Sequence, residues 1–256
     1  ADYGEGYCIF PKLEGKIGPR MKFQWKEVVF CSANDYLGLC NHPEVLEAEA
    51  KAAAEYGMFY PMGARAMSGE TEAHLQLERE LAEFVEKEAA YFLNFGYQGM
   101  VSIIDALVTR RDVIVYDADS HACIIDGVRL HFGTSFTYKH NDMEDLERVL
   151  QRLPHEAVKL IVVDGVFSME GDLANLPAIV ELKHKYNCSI MVDEAHGLGV
   201  FGRQGRGVCD HFGLTDEVDL IMGTFSKSLA SSHSFKTSSL TAYRSMPLRS
   251  VNFLLI

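Results

Sequence analysis

Apolar residues along the chain fall into two kinds of run. Short, largely apolar runs cover 90–93, 113–116, 159–163, 189–192 and 220–223, a further short one covers 28–31, and 135–138 is another expected strand. Between them lie longer stretches in which apolar positions recur three or four residues apart. These predict helices over 42–56, 71–86, 98–108, 124–131, 143–150 and 176–186, with Leu75, Leu77, Leu81, Phe84 and Val85 near one face of the second. Asn41, Asn141 and Asn175 are the expected caps of the first, fifth and sixth helices, and Pro43 and Pro177 suit first turns. Strands that are continuously apolar rather than alternating, separated by helices, predict an α/β fold. Its central sheet is mostly parallel and covered by helices on both faces.

Three regions follow from the pattern. Residues 1–45 form an arm rich in Gly, Pro and aromatics (Tyr3, Tyr7, Phe10, Pro11, Pro19, Trp25) with one short strand. It suits either wrapping a partner subunit or covering its own core. Residues 46–231 form the large α/β unit, and 232–256 an atypical tail that opens in a Ser-rich stretch.

In an open parallel sheet, ligands gather at the carboxyl ends of the strands. That rule singles out Asp164, Asp193 and Thr224, each at or just past a strand end. Three segments carry them: Asp164-Gly-Val-Phe-Ser-Met-Glu-Gly171, Val192-Asp-Glu-Ala-His196 and Gly223-Thr-Phe-Ser-Lys-Ser228. Asp193 leaves the sheet where it can hold a proton on a ring nitrogen, and His196 approaches the same ligand from one side. Lys227 lies just beyond a buried strand, where desolvation lowers an amine's pKa and the neutral amine forms an imine. Thr224 and Ser226 supply hydroxyls for a phosphate. Asn94-Phe-Gly-Tyr-Gln98 sits between a strand and a helix, and its backbone N–H groups make a phosphate seat. An Asp, an imine-forming Lys and a phosphate nest are together what pyridoxal 5'-phosphate requires.

Composition narrows the field. The 256 residues include 24 Lys and Arg against 36 Asp and Glu, a net charge of −12 that argues against a nucleic-acid partner. Asp193-Glu-Ala-His196 copies a helicase box, but no Gly-x-x-x-x-Gly-Lys-Ser/Thr loop precedes it. Gly202-Arg-Gln-Gly-Arg-Gly207 opens no βαβ unit and is no dinucleotide fingerprint. The six cysteines have no C-x-x-C spacing, which predicts reduced thiols, a cytoplasmic setting and no metal site. No run of 18 apolar residues predicts a membrane span, and no export signal opens the chain. No amphipathic anchor helix is evident, although a lipid product would favour loose contact with a membrane surface.

The motifs in order resemble those of the α-oxoamine synthase family, pyridoxal-phosphate enzymes of fold type I. They are Asn34-Asp-Tyr-Leu-Gly-Leu39, Gly63-Ala-Arg65 with Ser68-Gly69, Asn94-Phe-Gly-Tyr97, Ser120-His-Ala-Cys-Ile-Ile-Asp-Gly-Val-Arg129, the Asp164 segment, Val192-Asp-Glu-Ala-His196 and Thr224-Phe-Ser-Lys227. The resemblance implies that Lys227 holds the cofactor as an internal aldimine and moves the α-proton, while His121 stacks on the pyridine ring. It implies that Asp193 bonds the pyridine nitrogen and His196 the phenolic oxygen, with Asp164 and Ser168 lining the pocket. Gly96, Tyr97, Thr224 and Ser226 would contact the phosphate, and Asn34 the substrate amino acid. The implied reaction condenses an amino acid with an acyl thioester and, in most members, releases carbon dioxide. Segments 140–146, 168–177 and 219–231 look most like bacterial serine palmitoyltransferases, implying L-serine, a long-chain acyl thioester, a 3-keto sphingoid base and a homodimer. Glycine acetyltransferase and 8-amino-7-oxononanoate synthase chemistry, another fold type I enzyme and a non-catalytic subunit remain alternatives.

The chain departs from the family in three places. Met58-Phe-Tyr-Pro-Met62 replaces a Gly-rich stretch, and Glu70 replaces a Thr. After Ser231 the family's Leu-Gly-Gly-Phe and strand give way to Ser232-His-Ser-Phe-Lys-Thr, so the small C-terminal domain is expected to be missing or altered. Arg244 and Arg249 lie in no family motif.

Overall fold

The computed structural model describes residues 11–57 and 65–231 and the backbone of 234–238. Tyr3, Tyr7 and Phe10, the segment 58–62, and the tail beyond 238 with Arg244 and Arg249 lie outside the described residues.

The arm folds as a small antiparallel sheet of β1 (Leu13–Glu14), β2 (Arg20–Phe23) and β3 (Lys26–Val29). Gln24 and Trp25 both take left-handed φ, 47° and 69°, which makes the two-residue turn whose twist suits a hairpin. Without an Asn-Gly or Asp-Gly signal, that hairpin is invisible in the sequence. The one strand predicted over 28–31 therefore lies two residues earlier, as β3. A short 3₁₀ turn, Leu39–Asn41, leads into α1 (Pro43–Tyr56). Asn41 does not cap α1: its amide donates to the Ile17 carbonyl, and His42 stands at the N-cap position.

The rest is α/β. It comprises α2 (Arg65–Ser68), α3 (Glu72–Phe84), β4 (Ala89–Leu93), α4 (Gly96–Leu107), β5 (Val113–Asp117), α5 (Ala122–Leu130), β6 (Thr134–Tyr138) and α6 (Met143–Gln151). It continues through β7 (Lys159–Asp164), α7 (Leu176–Tyr186), β8 (Ser189–Asp193), the single turn α8 (Val208–His211), β9 (Leu220–Thr224) and β10 (Ser234–Ser238). The seven-stranded sheet has the order β4-β10-β9-β8-β7-β5-β6, and only β10 runs antiparallel to its neighbours. β10 was not legible in the sequence. Its Ser-rich segment has weak β character, and backbone pairing to β4 and β9 on both sides decides its conformation.

Period-2 alternation splits the apolar strands between two layers. Ile161 and Val163 of β7 pack with Leu146, Leu150, Leu176 and Ile179 of α6 and α7. Leu160 and Val162 pack with Met100, Ile104, Ile124 and Val128 of α4 and α5. All six residues of β7 are buried, so both faces of the sheet are covered, as the unbroken pattern requires. Asn175 caps α7 as expected, accepting from Ala178 N–H at 3.4 Å. For α6 the cap is Asp142, which accepts from Asp145 N–H at 2.9 Å. Asn141 instead turns left-handed (φ 51°) and bridges to the Leu173 carbonyl and the Asn175 N–H, both at 2.9 Å.

β7 begins on a buried cation. Lys159 is 2% exposed, and its ammonium donates to the carbonyls of Pro154, His155 and Ala157 at 3.1, 3.0 and 2.8 Å. It satisfies the backbone of the loop feeding the central strand. Lys159→Met keeps the stem and removes the donors, and should lower unfolding stability by about 2–3 kcal/mol. Urea denaturation checks this, and an unchanged midpoint would refute the role.

Candidate active site

Parallel register brings the candidate groups to one rim. Asp164, last in β7, pairs with Asp193, last in β8, and β9 ends beside them at Thr224. Gly165 N–H donates to the Asp193 carbonyl at 2.8 Å, and Asp193 Oδ1 accepts from Ala195 N–H at 2.9 Å, so the second carboxylate is fixed by its own turn. Both carboxylates are buried. Burial raises the pKa of Asp193, and burial together with the Asp193 charge pushes Asp164 up to about 8.

Lys227 comes off the bend after β9. Burial lowers its pKa, against the opposing pull of Asp193, Cys123 and Asp164. Its Nζ lies 2.8 Å from His196 Nε2, and His196 Nδ1 lies 2.6 Å from the hydroxyl of Tyr36, itself 3.2 Å from Asn34 Oδ1. Burial and the Lys227 charge push His196 down to about 4, so its ring is neutral at physiological pH and carries one proton. One consistent chain of donors follows: Lys227 N–H to His196 Nε2, His196 Nδ1–H to Tyr36, and Tyr36 O–H to Asn34. The amine is thereby coupled to the asparagine expected at the substrate.

His121 stands at the N-cap of α5. Its backbone N–H donates to Asp164 Oδ2 at 3.1 Å, and its Nδ1 accepts from Cys123 N–H at 3.3 Å. A helix predicted from 124 thus begins at 122, because an imidazole caps it. The phosphate seat lies nearby. No side chain caps α4, which begins at Gly96, and Thr224 Oγ1 sits 2.9 Å from Ser226 Oγ. A Cβ at Gly96 would come 3.1 Å from Thr224 Oγ1, so glycine lets the helix start approach β9. The Tyr97 ring meets His121 edge-on at 6.2 Å, and its hydroxyl bonds Asp126. Ser168 is exposed on the loop after β7.

Residues 26–233 match the family model described as aminotransferase class I and II. The chain belongs to that family. Within it, the chain is 59% identical over 235 residues to a cysteate-C-fatty acyltransferase of Capnocytophaga ochracea, covering 90% of this chain and 56% of that protein. It is 56% identical over 225 residues to a serine palmitoyltransferase of Bacteroides ovatus, covering 88% and 57%. The chain thus spans about half the length of these curated relatives. A solved serine palmitoyltransferase from S. paucimobilis, with a bound PLP–myriocin aldimine, superposes with a TM-score of 0.87 at 33% identity over 93% of this chain and 60% of that one. The fold is that of fold type I pyridoxal-phosphate enzymes.

In this family member, Glu194 does structural work that the sequence reading assigned to no residue. It is wholly buried and accepts from Val208 N–H and Cys209 N–H at 2.9 and 2.7 Å, capping α8 from a distance. A Cβ on Gly197, Gly207 or Gly165 would come within 2.0, 2.6 or 3.1 Å of its side chain. This accounts for the Gly-rich 202–207 segment, whose last glycine must clear that carboxylate. Glu70, the departure from Thr, pairs at 2.7 Å with Arg65, which also holds Glu78 at 2.8 Å. Tyr36 was likewise passed over; its place inside the Asn34 segment was the available signal.

The raised Asp164 has a pH consequence. Between the ordinary carboxylate range and about 8, the folded chain holds a proton there that the unfolded chain has released. Its contribution to stability therefore falls as pH rises through that window. In the chain without added cofactor, Asp164→Asn should flatten the fall. Urea midpoints measured across the window check this, and an equally steep decline in the variant would overturn the assignment.

Proposed function

We propose that the chain is the cofactor-bearing part of a pyridoxal-phosphate-dependent C-acyltransferase. It condenses L-serine with a long-chain acyl thioester, with loss of carbon dioxide, to give a 3-keto sphingoid base. The observation that carries the reading is the amine of Lys227, 2.8 Å from His196 and close to the buried carboxyls of Asp193 and Asp164 at neighbouring strand ends, with its pKa lowered by burial.

The residues fit the cofactor on their own chemistry. An aldehyde needs an amine that loses its proton readily, a ring nitrogen needs a carboxylate, and a phosphate needs N–H and hydroxyl donors. Lys227, Asp193, and the start of α4 with Thr224 and Ser226 supply these in turn. Pyridoxal phosphate, when bound, supplies the electron sink that makes an amino-acid α-proton removable. Lys227 then holds and moves that proton, its basicity set by burial and by His196. The Asp193 carboxylate, anchored by Ala195 N–H, keeps the ring nitrogen protonated. His121, held by Asp164 and its own helix cap, would lie against the ring and help to orient it. Tyr36 orients His196 and Asn34 together at the amino-acid side.

A second amino acid, cysteate, is favoured by the 59% identity to the Capnocytophaga protein. The partner proposed for the N-terminal face is a second copy of the chain. No residue of α1 is buried, and Trp25 is 94% exposed. Five described cysteines are free thiols, which supports a cytoplasmic setting. No helix among the described residues is long and apolar enough to cross a membrane.

Borohydride reduction in the presence of pyridoxal phosphate should trap the cofactor on the peptide containing Lys227, and Lys227→Ala should abolish the linkage. A linkage on another lysine sinks the reading. Thiol release from acyl thioesters of several lengths, screened with serine, cysteate, glycine and alanine, should be highest with serine. A cysteate maximum would replace serine, and no release with any pair would refute acyl transfer. In sedimentation the chain should run as a dimer, and Trp25→Glu should raise the monomer fraction.

A further inference from the structure

Cys123 lies between two residues that the proposed site uses for different tasks. Its Sγ is 2.9 Å from His121 Nδ1 and 3.9 Å from Asp193 Oδ2, and the side chain is 3% exposed. The backbone N–H of the same residue points at His121 Nδ1, at 3.3 Å. Nδ1 is therefore an acceptor, which leaves the imidazole proton on Nε2. A thiol has one proton and can direct it at only one acceptor at a time.

We propose that Cys123 is a positioning residue whose single thiol proton serves either His121 Nδ1 or Asp193 Oδ2, coupling the imidazole to the buried carboxylate. With nothing else donating to Oδ2, the thiol is shared between the two acceptors. A bound group that donates to Oδ2 releases the thiol proton to His121, so the tautomer and tilt of the imidazole follow what Asp193 holds. Burial, with Asp193 beside it, raises the thiol pKa and keeps the proton on sulfur. The thiol therefore acts as a hydrogen-bond donor and not as a nucleophile. The roles of His121 and Asp193 toward the cofactor rest on the function proposed above, whereas the coupling between them does not.

The test uses that separation. In the chain without added cofactor, NMR of isotope-labelled histidine should show His121 as a single Nε2–H tautomer, its signals assigned by their loss in His121→Asn. Cys123→Ala leaves Nδ1 only the longer backbone bond at 3.3 Å, so it should shift the His121 nitrogen signals and raise the share of the Nδ1–H form, and Cys123→Ser, which keeps a donor, should reverse both. On adding pyridoxal phosphate, Cys123→Ala should bind it about fivefold to tenfold more weakly by absorbance titration, with Cys123→Ser within about twofold of wild type. Identical His121 nitrogen shifts in wild type and Cys123→Ala would overturn the coupling. So would serine failing to rescue while circular dichroism shows the fold intact. If wild type takes no cofactor on Lys227, the proposed function fails, and the tautomer comparison still decides the role of Cys123.

Discussion

Two carboxylates that the fold buries side by side set the conditions for everything else at the rim. Parallel pairing of β7 and β8 brings Asp164 and Asp193 into register, where water cannot screen them. Two negative charges in such a place are unfavourable, so one carboxyl retains its proton or a cation comes to them. Lys227 is the amine the chain sets near them; burial lowers its pKa and the carboxylates pull it back up. The charge on each of the three groups bears on the pKa of the others, so their titrations are linked.

The surroundings hold these groups still. Asp193 is clamped by Ala195 N–H, and Asp164 receives the backbone of His121. Glu194, one residue from Asp193, pins the start of α8 through two N–H bonds. The turn from 193 to 198 thus presents one residue to the rim of candidate groups and the next to the core. Such alternation lets a short loop be both rigid and reactive.

Much of this was legible in the chain. Unbroken apolar strands ending in Asp164, Asp193 and Thr224 declare a parallel sheet and its reactive rim, and Lys227 follows the last of them at short range. What escaped reading depends on contacts between distant segments. Tyr36 meets His196 across 160 residues, and Glu194 caps a helix 14 residues away. Neither contact leaves a local pattern. Asn41 and Asn141 looked like helix caps because Asn often is one, but each has a long-range acceptor that competes better. β10 has little intrinsic tendency to be a strand and takes that form from its two neighbours.

That last strand bears on how the molecule is made. Among the described residues β4 lies at one edge of the seven-stranded sheet and pairs with β10, while β10 on its other side carries β9. A ribosome delivers residues 89–93 long before residues 234–238. Throughout that interval the nascent β4 has no neighbour in the sheet to pair with, although α3 and α4 around it are already complete. Pairing of β4 therefore waits on a serine-rich segment inserting between two strands made earlier, a slow, high-contact-order event during which an unpaired edge is exposed to other chains.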